Sequence, residues 1–156
     1  MNEVDITIIG GGPAGYVAAI RAAHLGLKAV LIEKDKLGGV CLNRGCIPTK
    51  TLVSTAELFT NIKRASEFGI DIENPVLNFP KAMARKDRIV HKLSYGVGEL
   101  VKANRVKIIK GEGNILKPGV VQIIDDKGFE EKINTENILI ATGSSVTIIP
   151  IPGLEL

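Results

Sequence analysis

The sequence is poor in aromatic residues, cysteine and histidine, and it has no long apolar run. Among 156 residues there is no tryptophan, aromatic residues make up 4%, and there are two cysteines and two histidines. So few aromatic side chains offer little stacking surface for bases, and the net charge of +3 comes from basic residues scattered among nearly as many acidic ones. We therefore expect no nucleic acid partner. No uninterrupted apolar run reaches about eighteen residues, so we expect no membrane span.

The length and composition predict one domain in a reducing compartment. The chain is 45% hydrophobic, which supplies one core, but it is short for two full domains. Residues 1–5 are acidic rather than basic and apolar, so we expect no secretory signal and a cytoplasmic location. Two cysteines there favour a redox or metal role. His24 and His91 lack a suitable spacing to the cysteines, so we expect no metal.

The first 33 residues have the pattern of a βαβ unit. Residues 4–9 form a short apolar run that ends at three glycines, as in a strand buried on both faces of a parallel sheet. A helix is predicted over 13–25, with Pro13 in its first turn and Gly26 as its stop. A second strand is predicted over 28–33.

The rest of the chain predicts two more helices and several strands. Residues 35–45 are expected to be irregular. Helices are predicted over 48–68 and, from its amphipathic pattern, over 81–104, and strands over 105–110, 120–125, 130–133 and 137–141. The fold class is therefore α/β: a Rossmann-like domain with a parallel sheet, flanking helices and a small antiparallel meander near 118–134.

The glycines after the first strand match a phosphate-binding turn. Gly10, Gly12 and Gly15 fit the Gly-x-Gly-x-x-Gly pattern, and the helix that follows offers free N–H groups and the positive end of its dipole to a pyrophosphate. Glu33 follows Gly15 by 18 residues, the position of a carboxylate that accepts hydrogen bonds from an adenosine ribose. FAD or NAD is favoured over NADP. The alternative is a glycine-rich turn with an unrelated surface glutamate.

Two cysteines separated by four residues follow this unit. On a regular helix their Cα atoms would lie about 8.6 Å apart, beyond the roughly 7 Å limit for a disulfide. Cys41 and Cys46 can therefore pair only where the backbone leaves the α-helix, which Gly45 permits and Pro48 favours. Cys46 is then predicted at a helix N-terminus, which favours its thiolate, with Lys50 one turn onward. The alternatives are unreactive thiols or half of a metal site.

Three motifs resemble those of the flavin-dependent pyridine nucleotide-disulfide oxidoreductases. They are Gly-Gly-Gly-Pro-Ala-Gly-Tyr at 10–16, Gly-Gly-Val-Cys-Leu-Asn-Arg-Gly-Cys-Ile-Pro-Thr-Lys at 38–50 and Ile-Ala-Thr-Gly-Ser at 140–144, in that order. Within the family, the resemblance is strongest to members that oxidise dihydrolipoamide. Val40 differs, since many members have threonine there. Thr49 stands where glutathione reductases usually have lysine.

The resemblance implies FAD along the domain and a redox-active disulfide. Cys41 would be the outer thiol that meets the substrate, Cys46 the inner thiol against the flavin, and Lys50 would approach the reactive edge of the flavin. The implied cofactor contacts are Gly10, Gly12, Pro13, Ala14, Gly15, Glu33, Lys34, Gly38, Gly39, Val40, Cys41, Cys46, Lys50, Gly113, Ala141, Thr142, Gly143 and Ser144.

The resemblance also implies a longer protein. Residues 1–147 are expected to be the FAD-binding domain and 148–156 a connector toward an NAD-binding domain that this sequence lacks. Family members of this kind are homodimers and pass two electrons from dihydrolipoamide to NAD. The substrate is held on a lipoyl carrier protein of a 2-oxo acid dehydrogenase or glycine cleavage complex. The alternatives are a relative of glutathione or mercuric reductase, or a cofactor-binding module without turnover.

Overall fold

A computed structural model describes residues 3–154 of the chain. It begins with strand β1 (Glu3–Ile9), helix α1 (Pro13–His24) and strand β2 (Ala29–Glu33). These bounds lie within one residue of the sequence prediction. Pro13 opens α1, where a missing N–H is tolerated, and Gly26 follows its end with φ +82°.

The remaining elements are three helices, a 3₁₀ turn and four strands. They are α2 (Gly39–Asn43), α3 (Cys46–Lys63), the 3₁₀ turn Ala65–Phe68, α4 (Phe79–Ala103), β3 (Lys107–Lys110), β4 (Glu112–Lys117), β5 (Val120–Ile124) and β6 (Glu130–Ile140). The side chain of Asn78 caps α4 by accepting a hydrogen bond from the Lys81 N–H at 2.9 Å.

The strands form one six-stranded sheet in the order β3-β2-β1-β6-β5-β4. The first four strands in that order are parallel, and β5 and β4 extend them as antiparallel neighbours. Strand β1 is central: Ile8 pairs with Leu31 on one side and with Leu139 on the other. The predicted α/β class, with its parallel sheet and antiparallel meander, is confirmed.

The two faces of the parallel strands bury separate apolar clusters. On one face, Ile8 and Leu31 pack with Ala19 of α1 and Val101 of α4, all with 0% of their surface exposed. On the other face, residues of β1 and β2 pack with Val121, Ile123 and Ile133 of the meander. The parallel strands therefore lie between a helical layer and the meander.

Several element predictions were wrong in detail. Residues 35–45 are not all irregular, because they contain α2. The two strands predicted over 130–133 and 137–141 are one continuous strand, β6, and β4 was not predicted at all. The 48–68 helix begins earlier, at Cys46, and ends at Lys63 before the 3₁₀ turn. Pro48 is accommodated within its first turn, where backbone N–H groups have no partner in the helix.

The segment after β6 has no regular secondary structure apart from a turn near 152–154. The division into a domain over 1–147 and a connector over 148–156 stays a prediction, and residues 155 and 156 lie outside the described part. Across the described residues, every helix is too short or too polar to cross a bilayer.

Candidate functional site

The glycine turn lies between the carboxyl end of β1 and the start of α1. A Cβ atom on Gly15 would overlap the carbonyl oxygen of Gly10, and one on Gly10 would overlap the carbonyl group of Ala141. Gly10 also has φ +108°, which side chains rarely permit. Glycine at these two positions lets α1 approach the sheet closely. The N-terminus of α1 therefore lies at the carboxyl ends of the strands.

The first turn of α1 is available to an anion. Gly12 is the N-cap residue, and no side chain caps the helix. The first N–H groups of a helix have no partner within it, and they carry the positive end of the helix dipole. This turn can therefore bind a phosphate with backbone N–H groups.

Glu33 closes the other side of the turn. Its carboxylate accepts a hydrogen bond from the Gly11 N–H at 2.6 Å and one from the Asp35 N–H at 2.7 Å. Two backbone donors therefore hold the side chain against the glycine turn at the end of β2. A carboxylate has about four lone-pair positions, so acceptor capacity is left for hydroxyl groups of a ligand.

A cavity of about 190 Å³ opens beside Glu33 at the ends of β1 and β2. It brings together five residues singled out from the sequence, which are Gly10, Glu33, Lys34, Gly113 and Thr142. Lys34 forms an ion pair with Glu112 at 3.1 Å, between two exposed side chains that both line the cavity.

Gly111 and Glu112 also line this cavity, and sequence reasoning missed both. Gly111 has φ +156°, and its N–H donates to the Glu33 carbonyl oxygen at 3.0 Å. The turn from β3 into β4 is thus joined to the end of β2. A glycine directly after the strand predicted over 105–110 was the available signal.

A disulfide joins Cys41 in α2 to Cys46, the first residue of α3, with Cα atoms 4.7 Å apart. The backbone between them leaves the helix at Gly45, with φ −124° and ψ −101°. The prediction that the two cysteines can pair only across a break in the helix is confirmed. Cys41 is half-buried and Cys46 is exposed.

The segment that carries Cys41 packs directly on the glycine turn. Gly38 donates its N–H to the Gly11 carbonyl oxygen at 2.9 Å. A Cβ atom on Gly39 would lie 2.8 Å from the Gly12 Cα, so two glycine backbones are in contact there. Gly38 and Gly39 have φ +99° and +60°. The dithiol and the phosphate-binding turn therefore belong to one continuous site.

A pyridine nucleotide-disulphide oxidoreductase family model matches residues 4–156 of the chain. The chain belongs to this family. Membership of this oxidoreductase family implies FAD, and the glycine turn, the uncapped helix and the Glu33 cavity fit the pyrophosphate and adenosine of such a cofactor.

Individual relatives agree with the family assignment. The chain is 44% identical over 155 residues to a dihydrolipoyl dehydrogenase of Acholeplasma laidlawii, covering 99% of the chain and 45% of that protein. It is 42% identical over 163 residues to one of Bacillus subtilis (strain 168), covering 99% and 34%. The chain thus spans between about a third and just under half of these relatives.

A solved structure shares the fold across the whole chain. It is the Cu(II) complex of the HOCl-induced flavoprotein disulfide reductase RclA from Escherichia coli, with a TM-score of 0.79 and 29% identity. The match covers 99% of this chain and 32% of that one. The overlap therefore concerns the part that carries the glycine turn and the disulfide.

The other residues predicted for the family site lie close in the chain to these features. Pro13 and Ala14 are exposed at the start of α1, and Lys50 is exposed one turn after Cys46 in α3. Val40 is 59% exposed. Ala141 is half-buried beside Gly10, whereas Gly143 and Ser144 are exposed after β6.

The two histidines lie on different helices, α1 and α4. His24 hydrogen-bonds to the Asn104 side chain at 2.6 Å, and His91 is exposed on α4. Within residues 3–154 there is no cluster of three or more metal-ligating side chains.

Proposed function

We propose that the chain is the FAD-binding, disulfide-bearing part of a dihydrolipoyl dehydrogenase. Residues 1–147 form the FAD-binding domain, and 148–156 connect it to an NAD-binding domain of the whole protein. The observation that carries the proposal is the Cys41–Cys46 disulfide on a segment in contact with the glycine turn. The identities of 42% and 44% to proteins named dihydrolipoyl dehydrogenase support this choice within the family.

In the whole protein, dihydrolipoamide is oxidised and NAD⁺ is reduced. The substrate is presented on a lipoyl carrier protein of a 2-oxo acid dehydrogenase or glycine cleavage complex. The whole protein works in the cytoplasm as a homodimer. The 156-residue chain alone binds the cofactor and accepts electrons but does not reduce NAD⁺, because that step needs the further domain.

The disulfide accepts two electrons by thiol exchange. One thiolate of dihydrolipoamide attacks Cys41 Sγ, a mixed disulfide forms, and Cys46 leaves as a thiolate. The second substrate thiol then displaces Cys41 and closes the ring disulfide of lipoamide. The substrate loses two electrons and two protons, and the pair Cys41 and Cys46 gains the two electrons.

The position of Cys46 favours it as the leaving thiolate. It is the first residue of α3, where free N–H groups and the helix dipole stabilise a negative charge, whereas Cys41 lies inside α2. In the chain alone Cys46 is the more exposed of the two. We propose that this exposed face is the one that the flavin covers.

The FAD-binding residues fall into two groups. The adenosine and pyrophosphate would be held by Gly10, Gly12, Pro13, Ala14, Gly15, Glu33, Lys34 and Gly113. The flavin side would be held by Gly38, Gly39, Val40, Cys41, Cys46, Lys50, Ala141, Thr142, Gly143 and Ser144. These residues would place FAD next to the dithiol, where it would supply two-electron redox chemistry between the cysteines and NAD⁺.

The test is a reductive titration of the purified chain. The chain is mixed with FAD, its affinity is measured from the flavin fluorescence, and dihydrolipoamide is added without oxygen. We expect yellow protein that accepts two electrons at its cysteines in addition to those taken by the flavin. Mass spectrometry should show that an alkylating reagent modifies Cys41 and Cys46 only after dihydrolipoamide is added.

Two serine variants provide the controls. Cys41→Ser with Cys46→Ser should bind FAD as well as the original chain but should lack the extra two-electron uptake. Cys46→Ser alone leaves Cys41 as a free thiol with no disulfide to reduce, so it should also lack the extra two-electron uptake, and Cys41 should be alkylated before dihydrolipoamide is added. Alkylation of both cysteines in untreated protein, with no two-electron centre, would contradict the proposal. Faster reduction by glutathione than by dihydrolipoamide would favour a glutathione reductase relative.

A further inference from the structure

The carbonyl group of Leu37 accepts two side-chain hydrogen bonds from different helices. Asn43 Nδ2, at the end of α2, donates to it at 3.0 Å, and Ser94 Oγ of α4 donates at 2.8 Å. Asn43 Nδ2 also donates to the Gly39 carbonyl oxygen at 3.0 Å. We call Asn43 and Ser94, together with the carbonyl that they share, the Leu37 clamp.

The orientation of the Asn43 amide is set by these partners. Two carbonyl oxygens face Nδ2, so the reverse orientation would place oxygen against oxygen. The amide oxygen Oδ1 is buried and, among the described residues, has no hydrogen-bond partner. A buried acceptor without a partner is unfavourable. The side chain is held in place by its two donated bonds.

The clamped segment needs such support because its own secondary structure is short. Helix α2 has five residues, fewer than an isolated helix needs to be stable. Gly38, its N-cap residue, and Gly39, its first residue, both have positive φ. The disulfide residue Cys41 lies inside this helix, between Gly39 and Asn43. A clamp at both ends of α2 therefore limits the movement of Cys41.

The Leu37 side chain joins the same segment to two other elements. Its Cδ2 atom lies 2.6 Å from the position that a Cβ on Gly11 would take, and its Cδ1 lies 3.5 Å from that of a Cβ on Gly98. Gly98 is a buried residue of α4, one turn after Ser94. Leu37 therefore connects the glycine turn to α4. Its side chain reaches both elements, and its carbonyl group accepts a hydrogen bond from Ser94 of α4.

We propose that Asn43 and Ser94 are positioning residues for the Cys41–Cys46 pair. They hold the reduced segment in the conformation that the disulfide requires, so less conformational entropy is lost when the bond closes. Because coupling is reciprocal, closing the disulfide also stabilises the clamp. The inference rests on the proposed function only where it concerns the effect of the clamp on turnover. The disulfide equilibrium itself can be measured without FAD.

The test is the equilibrium of the 156-residue chain with glutathione. Two glutathione thiols reduce the Cys41–Cys46 bond to two thiols and become one glutathione disulfide, so two electrons and two protons are exchanged. Acid-quenched samples are alkylated, and mass spectrometry gives the reduced fraction. Asn43→Ala is expected to favour the reduced form about tenfold, equivalent to about 30 mV for a two-electron couple. Ser94→Ala is expected to shift it about threefold.

Three comparisons separate positioning from a general loss of stability. Ser94→Thr keeps the hydroxyl donor, so its glutathione equilibrium should match that of the original chain rather than that of Ser94→Ala. This comparison can be made even where Asn43→Ala folds poorly. The double variant should shift the equilibrium by less than the product of the single shifts, because both donors hold one carbonyl. Asn61→Ala and Ser66→Ala remove exposed side chains of the same types and should leave the equilibrium unchanged.

The result that overturns the clamp is an unchanged glutathione equilibrium in folded Asn43→Ala and Ser94→Ala chains, or single shifts that multiply in the double variant. A purely structural role would lower the free energy of unfolding equally in the oxidised and reduced forms. Failure of the chain to bind FAD would instead refute the proposed function, and it would leave the glutathione measurement to decide the clamp.

Discussion

Gly15 of α1 packs directly on the Gly10 carbonyl group, so Gly15→Ala tests the packing that positions the phosphate-binding turn. An added Cβ would overlap the Gly10 carbonyl oxygen and lie 2.9 Å from its carbon. Overpacking by one methyl group usually destabilises by about 1 to 3 kcal/mol. Here the obstacle is a backbone carbonyl, which cannot rotate away as a side chain does. We therefore expect a loss of about 3 kcal/mol in the free energy of unfolding, at the upper end of that range.

The assay is urea unfolding followed by circular dichroism, with thermal unfolding as a second measurement. For a chain of this size, 3 kcal/mol corresponds to a fall in Tm of about 6 to 12 °C. The folded fraction of Gly15→Ala should also bind FAD more weakly, since α1 must move away from the strands.

Gly96→Ala is the matched control for the same chemical change. Gly96 lies inside α4, and a Cβ there would meet no atom within 4 Å. Alanine in place of glycine in an open helix position is expected to stabilise the chain by about 0.5 to 1 kcal/mol. A Gly15→Ala chain within about 0.5 kcal/mol of the original would refute the packing argument, because that range is typical of surface substitutions that touch nothing.

Three further substitutions test other parts of the structure. In Glu33→Gln, one of the two backbone N–H groups that bind the carboxylate would face an NH₂ group. Urea unfolding should show a loss of about 1 to 2 kcal/mol of stability, and flavin fluorescence should show weaker FAD binding. Asn78→Ala removes the cap that accepts from Lys81 and should lose about 1 kcal/mol, whereas Asn78→Ser should retain most of it. Ile133 is 1% exposed and lies between the meander and the sheet. In urea unfolding, Ile133→Ala should lower the free energy of unfolding by about 2 to 5 kcal/mol and Ile133→Val by about 0.5 to 1.5 kcal/mol. Equal losses in the two variants would contradict the burial of this side chain.

The first 33 residues could be predicted closely because several local signals agree there. The apolar run of β1 ends at glycines, Pro13 fits the first turn of α1, and Gly26 takes the left-handed conformation that ends it. Each signal depends on neighbouring residues alone. The family motifs, which also lie in short segments, indicated the glycine turn and the cysteine pair in the same way.

The missed elements depend on contacts between distant segments. Helix α2 is too short to show a helical period, and its position follows from the packing of Gly39 on Gly12. Strand β4 has mainly exposed residues and no alternation. The polar residues near 134–137 resemble a turn, yet Thr135 is 5% exposed and its hydroxyl donates to the Asn137 carbonyl oxygen within β6. Burial of this kind is not visible in the sequence.

Strand β6 belongs to two ladders at once, and this links the outer hairpin to the ligand end of the sheet. Asn134 pairs with Glu3 of β1 and with Val120 of β5, and beyond β6 the Ala141 N–H donates to the Ile9 carbonyl oxygen at 2.8 Å. A slip of one residue would turn the side chains of both ladders to the wrong faces. The β1–β6 and β5–β6 ladders therefore cannot change register separately. Native-state amide exchange should show that they open as one cooperative unit.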